Sequence, residues 1–341
     1  MKKLLLILTL IIALAFVGCT PAPQASTDPS AGTDPSASQM PYEQRTAVNI
    51  AVLNGPTGMG ASKLMKDNAD KLTANKYTFQ QFGAPTDVMP LLIKGELDIA
   101  ALPTNVAATL YNNSQGKVQL LALNTLGVLY VLSKDDSVKT LADLVGKTVY
   151  ISGQGSTPEY AMNYILSQNG LADSVTLQFE ADHAAIVGKC AAGQAEVVVL
   201  PEPFVSTLLS KDLGFKNCID LNAEWDKACN GESIFSMGCI VVRSEFAQSN
   251  PEAVKGFLNE YSASVQYVNA NPEAAAELIS EYKIVPDKNL AKSAIPNCNI
   301  VCITGDQMKL KTDAYLKLLH SYNPKAVGGS VPGDAFYYIV K

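Results

Sequence analysis

The chain contains Lys94-Gly-Glu-Leu-Asp-Ile-Ala-Ala-Leu-Pro-Thr104 and, at a constant offset of 98 residues, Ala192-Gly-Gln-Ala-Glu-Val-Val-Val-Leu-Pro-Glu202. Each copy predicts a helix that ends at a glycine, a tight turn, a short buried strand, and a proline that opens the next loop. The same offset relates Asn54-Gly-Pro-Thr-Gly-Met-Gly60 to Ser152-Gly-Gln-Gly-Ser-Thr-Pro158, and each of these stretches follows an apolar strand. The chain is therefore predicted to contain one α/β unit twice, with a cleft between the copies.

From Thr46 onward, strand and helix patterns alternate, and each copy of the repeat reads as a βαβαβ unit. Right-handed crossovers place such strands in one parallel sheet. The predicted fold class is α/β, with two lobes that each hold a mostly parallel sheet flanked by helices. We assign residues 47–133 to lobe 1, 134–236 to lobe 2, and 237–341 to a return strand and C-terminal helices that pack mainly on lobe 1. Residues 127–133 and 235–242 are predicted to pair as two hinge crossings.

The N-terminus is predicted to export and anchor the protein. Residues 1–18 read as a signal peptide, because their apolar segment is shorter than the roughly 20 residues that a membrane-spanning helix needs. Phe16-Val-Gly-Cys19 is similar to a bacterial lipobox, although Phe16 departs from the usual leucine, and it predicts lipid modification of Cys19. The alternative is an ordinary cysteine within a cleaved signal. Residues 19–46, rich in Pro, Ser and Ala, are predicted to be a flexible tether on the extracytoplasmic face of the cell membrane.

Charge and cysteine content limit the partners of the protein. A net charge of −6 without runs of like charge argues against a nucleic-acid surface. Beyond Cys19 there are six cysteines, of which Cys218 and Cys229 could form a local disulfide; the alternative is that several of the six are small buried hydrophobes. Cys298 and Cys302 form a single pair with no second pair at ligand spacing, so no metal site is predicted. No cofactor is predicted either.

Loops at the carboxyl ends of parallel strands are where ligands bind in open α/β sheets. In lobe 1, the glycine-rich loop 55–60 could hold a polar or anionic group on its backbone amides, but it lacks the Gly-Lys-Ser/Thr end of a P-loop. The alternative is a tight turn that needs glycine. In lobe 2, Ser156 and Thr157 could face the cleft, cap the following helix, or do both.

The repeat also pairs individual residues across the proposed cleft. Glu202 and Thr104 hold the same repeat position, where a carboxylate could accept hydrogen bonds from a ligand or could interact with a helix dipole. His183 corresponds to Pro85 at a loop tip, and could bind a ligand or cap a helix. The candidate ligand-binding residues are Thr57, Gly58, Met59, Pro85, Thr104, Asn105, Gln154, Ser156, Thr157, His183 and Glu202. No catalytic residue is predicted, because the sequence contains neither a Gly-x-Ser-x-Gly nor a His-Glu-x-x-His motif.

With these features the chain resembles a solute-binding protein of an ABC importer. More narrowly it is similar to the nitrate, sulfonate and taurine group, which includes binding proteins for thiamine-pyrimidine precursors. The resemblance is carried by Gly95-Glu-Leu-Asp98, Asp143-Leu-Val-Gly-Lys147 and Glu202-Pro203-Phe204, and covers roughly residues 48–319.

The resemblance implies a two-lobe periplasmic-binding-protein-like fold of type II, in a monomer that closes over one small solute by hinge motion. It also implies a membrane permease and its ATPase as partners. Family ligand contacts imply roles for Thr57, Met59, Thr104, Asn105, Ser156, Thr157 and Glu202. Pyrimidine-synthesising enzymes related to this fold leave an enzyme as the alternative, with Cys190 or His183 taking part.

The arginine content bears on the solute. The chain has two arginines, Arg45 and Arg243, and neither falls on a candidate loop. Because arginine is favoured for paired hydrogen bonds to sulfonates and carboxylates, a neutral or amine-bearing heterocycle, such as a pyrimidine-type vitamin precursor, is favoured over a small anion.

Overall fold

A computed structural model describes residues 40–154 and 156–339 of the chain. The predicted signal peptide, Cys19 and the tether up to residue 39 lie outside the described residues. The last part of the predicted tether is folded, because Tyr42–Gln44 forms a 3-10 turn on lobe 1. There the Tyr42 hydroxyl donates to Asn68 Oδ1 at 2.7 Å, and Arg45 donates to the Lys71 carbonyl at 3.3 Å.

The described strands form two sheets. The lobe 1 sheet contains β1 (Ala47–Leu53), β2 (Lys76–Phe82), β3 (Ile99–Pro103), β4 (Val118–Leu126), β10 (Ser236–Arg243) and β11 (Ile300–Ile303). The lobe 2 sheet contains β5 (Leu129–Ser133), β6 (Thr148–Ser152), β7 (Thr176–Glu180), β8 (Val197–Pro201) and β9 (Lys216–Asp220). The helices of the first half are α1 (Pro56–Met59), α2 (Ser62–Ala69), α3 (Pro85–Lys94), α4 (Thr104–Asn113), α5 (Thr157–Gln168) and α6 (His183–Ala191). The remaining helices are α7 (Phe204–Leu209), α8 (Leu221–Ala228), α9 (Ser244–Ser249), α10 (Pro251–Ala270), α11 (Pro272–Glu281), α12 (Lys288–Ala294) and α13 (Gly305–Tyr322).

The repeat folds twice into the same unit. Gly95 and Gly193 follow α3 and α6 with φ of +80° and +72°, a left-handed conformation in which a side chain would be strained. The buried strands β3 and β8 come next. In each lobe a central strand pairs in parallel with two neighbours, β1 with β2 and β3, and β6 with β7 and β8. The predicted two-lobe α/β fold is confirmed.

The two strands next to the crossings do not pair with each other. β5 lies antiparallel between β8 and β9, whereas β10 lies antiparallel between β3 and β4. The predicted pairing of residues 127–133 with 235–242 is therefore wrong, and β5 belongs to the lobe 2 sheet rather than to lobe 1. Both strands are buried along most of their length, so their backbone groups need partners on both edges, and insertion into a sheet supplies them.

The crossings connect the carboxyl ends of the two parallel strand sets. β4 is antiparallel to β10, which is antiparallel to β3, so β4 ends at the same edge as β1 and β3. β5 begins at the edge where β8 ends, since those two strands are antiparallel. The second crossing leads from α8 into β10 and also reaches this edge. In the first crossing, the Gly127 N–H donates to Asn222 Oδ1 on α8 at 3.1 Å. The loops predicted to bind a ligand therefore face one another across a cleft.

The C-terminal helices contact both lobes. α10 and α11 pack on α2 in lobe 1, while α12 also contacts α7 and α13 contacts both β4 and α5. α12 and β11 were not predicted from the sequence. One buried core continues from lobe 1 into lobe 2, and each lobe has a second core on its other sheet face. Among the described helices, none is both long and apolar enough to cross a membrane.

Candidate functional site

On the lobe 1 side, the loop after β1 is fixed to the neighbouring strands. The Asn124 side chain donates from Nδ2 to the Thr57 carbonyl at 2.8 Å. Gly238 permits this approach, because a Cβ there would lie 2.6 Å from Asn124 Oδ1 and 3.0 Å from Thr57 Cγ2. Three segments of lobe 1 thus place Thr57 and Asn124 side by side at the carboxyl edge of the sheet.

The next two residues of this loop are packed inside lobe 1. A Cβ on Gly58 would lie 2.0 Å from the Leu53 carbonyl oxygen, so glycine is required for the approach of α1 to β1. Met59 has no exposed surface and belongs to the core that also holds Leu64 and Tyr261. Of the predicted residues in this loop, the structure leaves Thr57 half-buried and encloses Gly58 and Met59.

The start of α4 holds two predicted residues in different surroundings. Thr104 is fully buried, and its hydroxyl forms a 2.7 Å hydrogen bond with the Ser236 hydroxyl. Asn105 is half-buried and its Nδ2 lies 3.4 Å from the Ala326 carbonyl, near the C-terminus. Pro85 lies half-buried at the first turn of α3.

On the lobe 2 side, His183 is held by the end of the neighbouring strand. Its Nδ1 lies 2.6 Å from the Ser152 hydroxyl, and its ring centroid lies 5.2 Å from that of Phe204. Burial lowers the pKa of His183 and favours the neutral imidazole. Three loops of lobe 2 therefore meet at this histidine.

The loop before α5 closes partly on itself. Gly153 has a φ of +83°, and the Ser156 hydroxyl donates to the Gly153 carbonyl at 2.6 Å. Ser156 occupies the N-cap position of α5 but makes no side-chain capping hydrogen bond. Gln154 is exposed and Thr157 is half-buried. Gly155 lies outside the described residues.

Glu202 is enclosed in a network that joins the lobes. Its carboxylate accepts hydrogen bonds from the Ser206 N–H and hydroxyl, both at 3.1 Å, and from Asn297 Nδ2 at 3.2 Å. The Tyr130 hydroxyl donates to the Asn297 carbonyl at 2.8 Å. Only 2% of Glu202 is exposed, and burial raises the pKa of its carboxyl. We call Glu202, Asn297 and Tyr130 the interlobe clasp, because Asn297 lies between α12 and the lobe 1 strand β11.

A second set of contacts crosses between the lobes near the end of α13. The rings of Tyr160 and Tyr322 are nearly parallel, with centroids 6.2 Å apart. Asn323 Nδ2 donates to the Tyr160 hydroxyl at 2.8 Å. Tyr160 is therefore engaged with the C-terminal segment.

Both arginines are engaged in other parts of the protein. Arg243 pairs with Asp98 at 3.0 Å and with Glu245 at 2.6 Å, and Arg45 is bound to backbone carbonyls beside the 3-10 turn. Neither arginine reaches the cleft loops.

Residues 40–154 and 156–339 contain no cluster of three or more His, Cys, Asp or Glu side chains that could hold a metal ion. Their six cysteines are free, so the alternative of a Cys218–Cys229 disulfide is not realised.

Several residues at the site were not singled out from the sequence. They are Asn124, Ser152, Ser236, Gly238 and Asn297. A signal existed for Ser152, which ends a repeat strand and corresponds to Asn54 at the 98-residue offset. Asn297 carries no local signal, because its role depends on how the C-terminal segment folds back onto lobe 2.

Comparisons with known proteins agree with this architecture. A sequence model of the NMT1-like family matches residues 66–281. A candidate binding protein of Brucella abortus is 22% identical over 181 residues, which cover 53% of this chain and 54% of that protein. The chain thus spans about half the length of the curated relatives it matches.

Solved structures share the fold over most of the chain. An ABC transporter protein from Parabacteroides distasonis is 26% identical, with a TM-score of 0.73, and the match covers 87% of this chain and 100% of that one. The periplasmic aliphatic sulphonate binding protein of Escherichia coli is 15% identical, with a TM-score of 0.68 over 86% of this chain and 92% of that one. A desulfurization enzyme also has the fold, at 12% identity and a TM-score of 0.57, over 86% of this chain and 97% of that one. The fold alone therefore does not separate binding from catalysis.

Proposed function

Because the chain belongs to the NMT1-like family, we propose that it is the extracytoplasmic solute-binding lipoprotein of an ABC importer. In this role a monomer, anchored to the cell membrane through lipid on Cys19, captures one small solute between its lobes. The lobes close about the two crossings, and the closed form delivers the solute to a permease driven by an ATPase.

The observation that carries this proposal is the direction of the crossings. Both connect the carboxyl edges of the sheets, so the loop with Thr57 on lobe 1 and the loop with His183 on lobe 2 lie at the two edges that the crossings join. Binding between two lobes gives the solute a way to favour the closed arrangement, because a solute that contacts both lobes gains all its contacts only there.

The polar groups of the cleft favour a neutral solute. The half-buried Thr57 and His183 offer hydroxyl and imidazole groups, and the carboxylate of Glu202 already accepts hydrogen bonds from within the protein. Neither arginine is available, because Arg45 and Arg243 are engaged elsewhere. We therefore propose a small heterocycle, such as a pyrimidine-type vitamin precursor, as the solute class.

A nitrate-, sulfonate- or taurine-like anion is the second candidate. The N-terminus of α5 favours it to the extent that Ser156 makes no side-chain capping bond there, although Glu159 places a carboxylate in the first turn of the same helix. The equivalent end of α6 is already capped, because the Asp182 carboxylate accepts a hydrogen bond from the Ala185 N–H.

An enzyme that uses Cys190 is not supported by the surroundings of that thiol. Cys190 has no exposed surface, lies in the second core of lobe 2, and its pKa is raised by burial to about 11. A reactive thiol needs access and a lowered pKa, and Cys190 has neither.

Thermal unfolding of residues 40–341 against a panel of small metabolites tests the proposal. We expect a rise in the unfolding temperature with heterocycles, a smaller one or none with sulfonates and nitrate, and a more compact X-ray scattering profile on binding. A panel that produces no shift, from a protein that also carries no small molecule on purification, would contradict a binding role.

A further inference from the structure

The contact between Ser152 and His183 fixes the chemistry that the histidine offers. Ser152 ends β6 and His183 begins α6, which follows the neighbouring strand β7, so the backbone brings the two side chains together. Their separation of 2.6 Å is a short hydrogen bond between the hydroxyl and Nδ1. Either atom can be the donor in principle, and the choice decides where the imidazole carries its proton.

The burial of Ser152 identifies the donor. Only 3% of Ser152 is exposed, and in the described chain its hydroxyl has no hydrogen-bond partner other than His183. If Nδ1–H donated to the hydroxyl, the single hydrogen of Ser152 would be buried without an acceptor, which costs free energy. The hydroxyl therefore donates and Nδ1 accepts.

A neutral histidine that accepts at Nδ1 carries its hydrogen on Nε2. Within the described residues, Nε2 of His183 has no hydrogen-bond partner. It is also not one of the buried side-chain atoms without a partner, so this nitrogen is accessible to solvent. The Phe204 ring packs against the imidazole and limits its rotation. His183 thus presents one oriented N–H at the edge of the cleft.

We propose that His183 is a specificity-determining residue whose Nε2–H donates a hydrogen bond to an acceptor on the solute. Ser152 is the positioning residue that fixes this tautomer. The acceptor is a carbonyl oxygen or an unprotonated ring nitrogen. The inference rests on the proposed solute-binding function, because it assigns a recognition role within that cleft. It selects solutes that place an acceptor, rather than an amine, against lobe 2.

Nitrogen-15 NMR of the histidine-labelled protein without solute tests the tautomer directly. The chain has two histidines, and His320→Gln leaves His183 as the only signal. We expect the Nε2–H form at slightly alkaline pH, with an Nδ1 resonance that moves when Ser152→Ala removes the hydroxyl. The Nδ1–H form, or an Nδ1 resonance unaffected by Ser152→Ala, would overturn the proposal.

Affinity measurements test recognition with two matched probes, 4-amino-2-methylpyrimidine and 3-methylaniline, which differ in their ring nitrogens. We expect His183→Ala to weaken pyrimidine binding by about threefold to tenfold and aniline binding little. His183→Gln, whose amide nitrogen can occupy the Nε2 position, should restore most of the loss, whereas His183→Asn should not. Equal losses for both probes would overturn the proposal. If NMR shows the Nε2–H form but neither probe binds, the proposed heterocyclic solute class is wrong. The assignment of Nε2–H as a hydrogen-bond donor then still stands, because the NMR spectrum supports it independently.

Discussion

Removing the Asn297 side chain should weaken solute binding without any direct contact to the solute. Asn297→Ala deletes the Nδ2 donor that lies 3.2 Å from Glu202 Oε1, and leaves the backbone carbonyl that accepts from Tyr130 in place. Asn297 lies on the segment that returns to lobe 1, whereas Glu202 and Tyr130 belong to lobe 2. Opening about the crossings would separate these groups, so the substitution should destabilise the closed arrangement.

The expected size follows from the chemistry of the bond. A hydrogen bond to a charged group contributes about 1.5–3 kcal/mol, and a neutral one about 0.5–1.5 kcal/mol. Asn297 is half-buried, so water can partly replace the lost donor, and we expect about 1–1.5 kcal/mol. Since 1.4 kcal/mol corresponds to about tenfold in an equilibrium constant, the dissociation constant should rise by about fivefold to twelvefold.

Titration calorimetry with the solute recovered from the purified protein measures this change. Asn269→Ala is the matched control, because it deletes an amide that donates to the Ile300 carbonyl at 2.8 Å within lobe 1. Both variants should lower the unfolding temperature, but only Asn297→Ala should raise the dissociation constant and expand the scattering profile of the bound state. A dissociation constant unchanged in Asn297→Ala would refute a role of the clasp in closure.

Three further predictions address the cleft, the clasp and the anchor. Gly238→Ala should destabilise the protein by about 1–3 kcal/mol in denaturant unfolding and weaken solute binding, because the added Cβ would lie 2.6 Å from Asn124 Oδ1. The control is Gly188→Ala, which should have neither effect because no atom lies within 4 Å of the added Cβ. Burial raises the pKa of Glu202 in the folded protein, so the free energy of unfolding should fall as the pH rises from the ordinary carboxyl range through that raised pKa. Glu202→Gln should remove this part of the pH dependence. If the free energy of unfolding of the variant has the same pH profile as that of the wild type, Glu202 is not its source. Cys19→Ser should release the protein from the membrane fraction of cells that produce it, and retention there would contradict lipid anchoring at this residue.

The helices and strands of the repeated unit could be predicted because the residues that mark their ends are neighbours in the sequence. Gly95 and Gly193 mark the ends of helices through their backbone conformation, and the apolar runs that follow them can only be buried strands at that length. The repeat supplied the order of the elements in both lobes. The parallel strands at the centre of each lobe, the two lobes and the edge that holds the loops all follow from these signals, whereas the antiparallel strands that make both sheets mixed do not.

Strand pairing and side-chain partners were less predictable because they depend on distant segments. β5 and β10 are both apolar and both could pair with several strands, and only the assembled sheets show that they belong to different lobes. Met59 lies in the glycine-rich loop that was predicted to bind a ligand, but its side chain is buried in the core because that part of the loop forms the short helix α1. Glu202 occupies the predicted loop, and its partner Asn297 is 95 residues away in the sequence.

Native mass spectrometry of the protein purified from the cells that naturally produce it tests the central claim most directly. A solute-binding protein of this design should retain one small organic molecule per chain, released on denaturation, and its exact mass should fit a heterocycle that carries a hydrogen-bond acceptor. Protein that is free of any small molecule, and that gains none when incubated with an extract of the same cells, would contradict the claim that the interlobe cleft captures a solute.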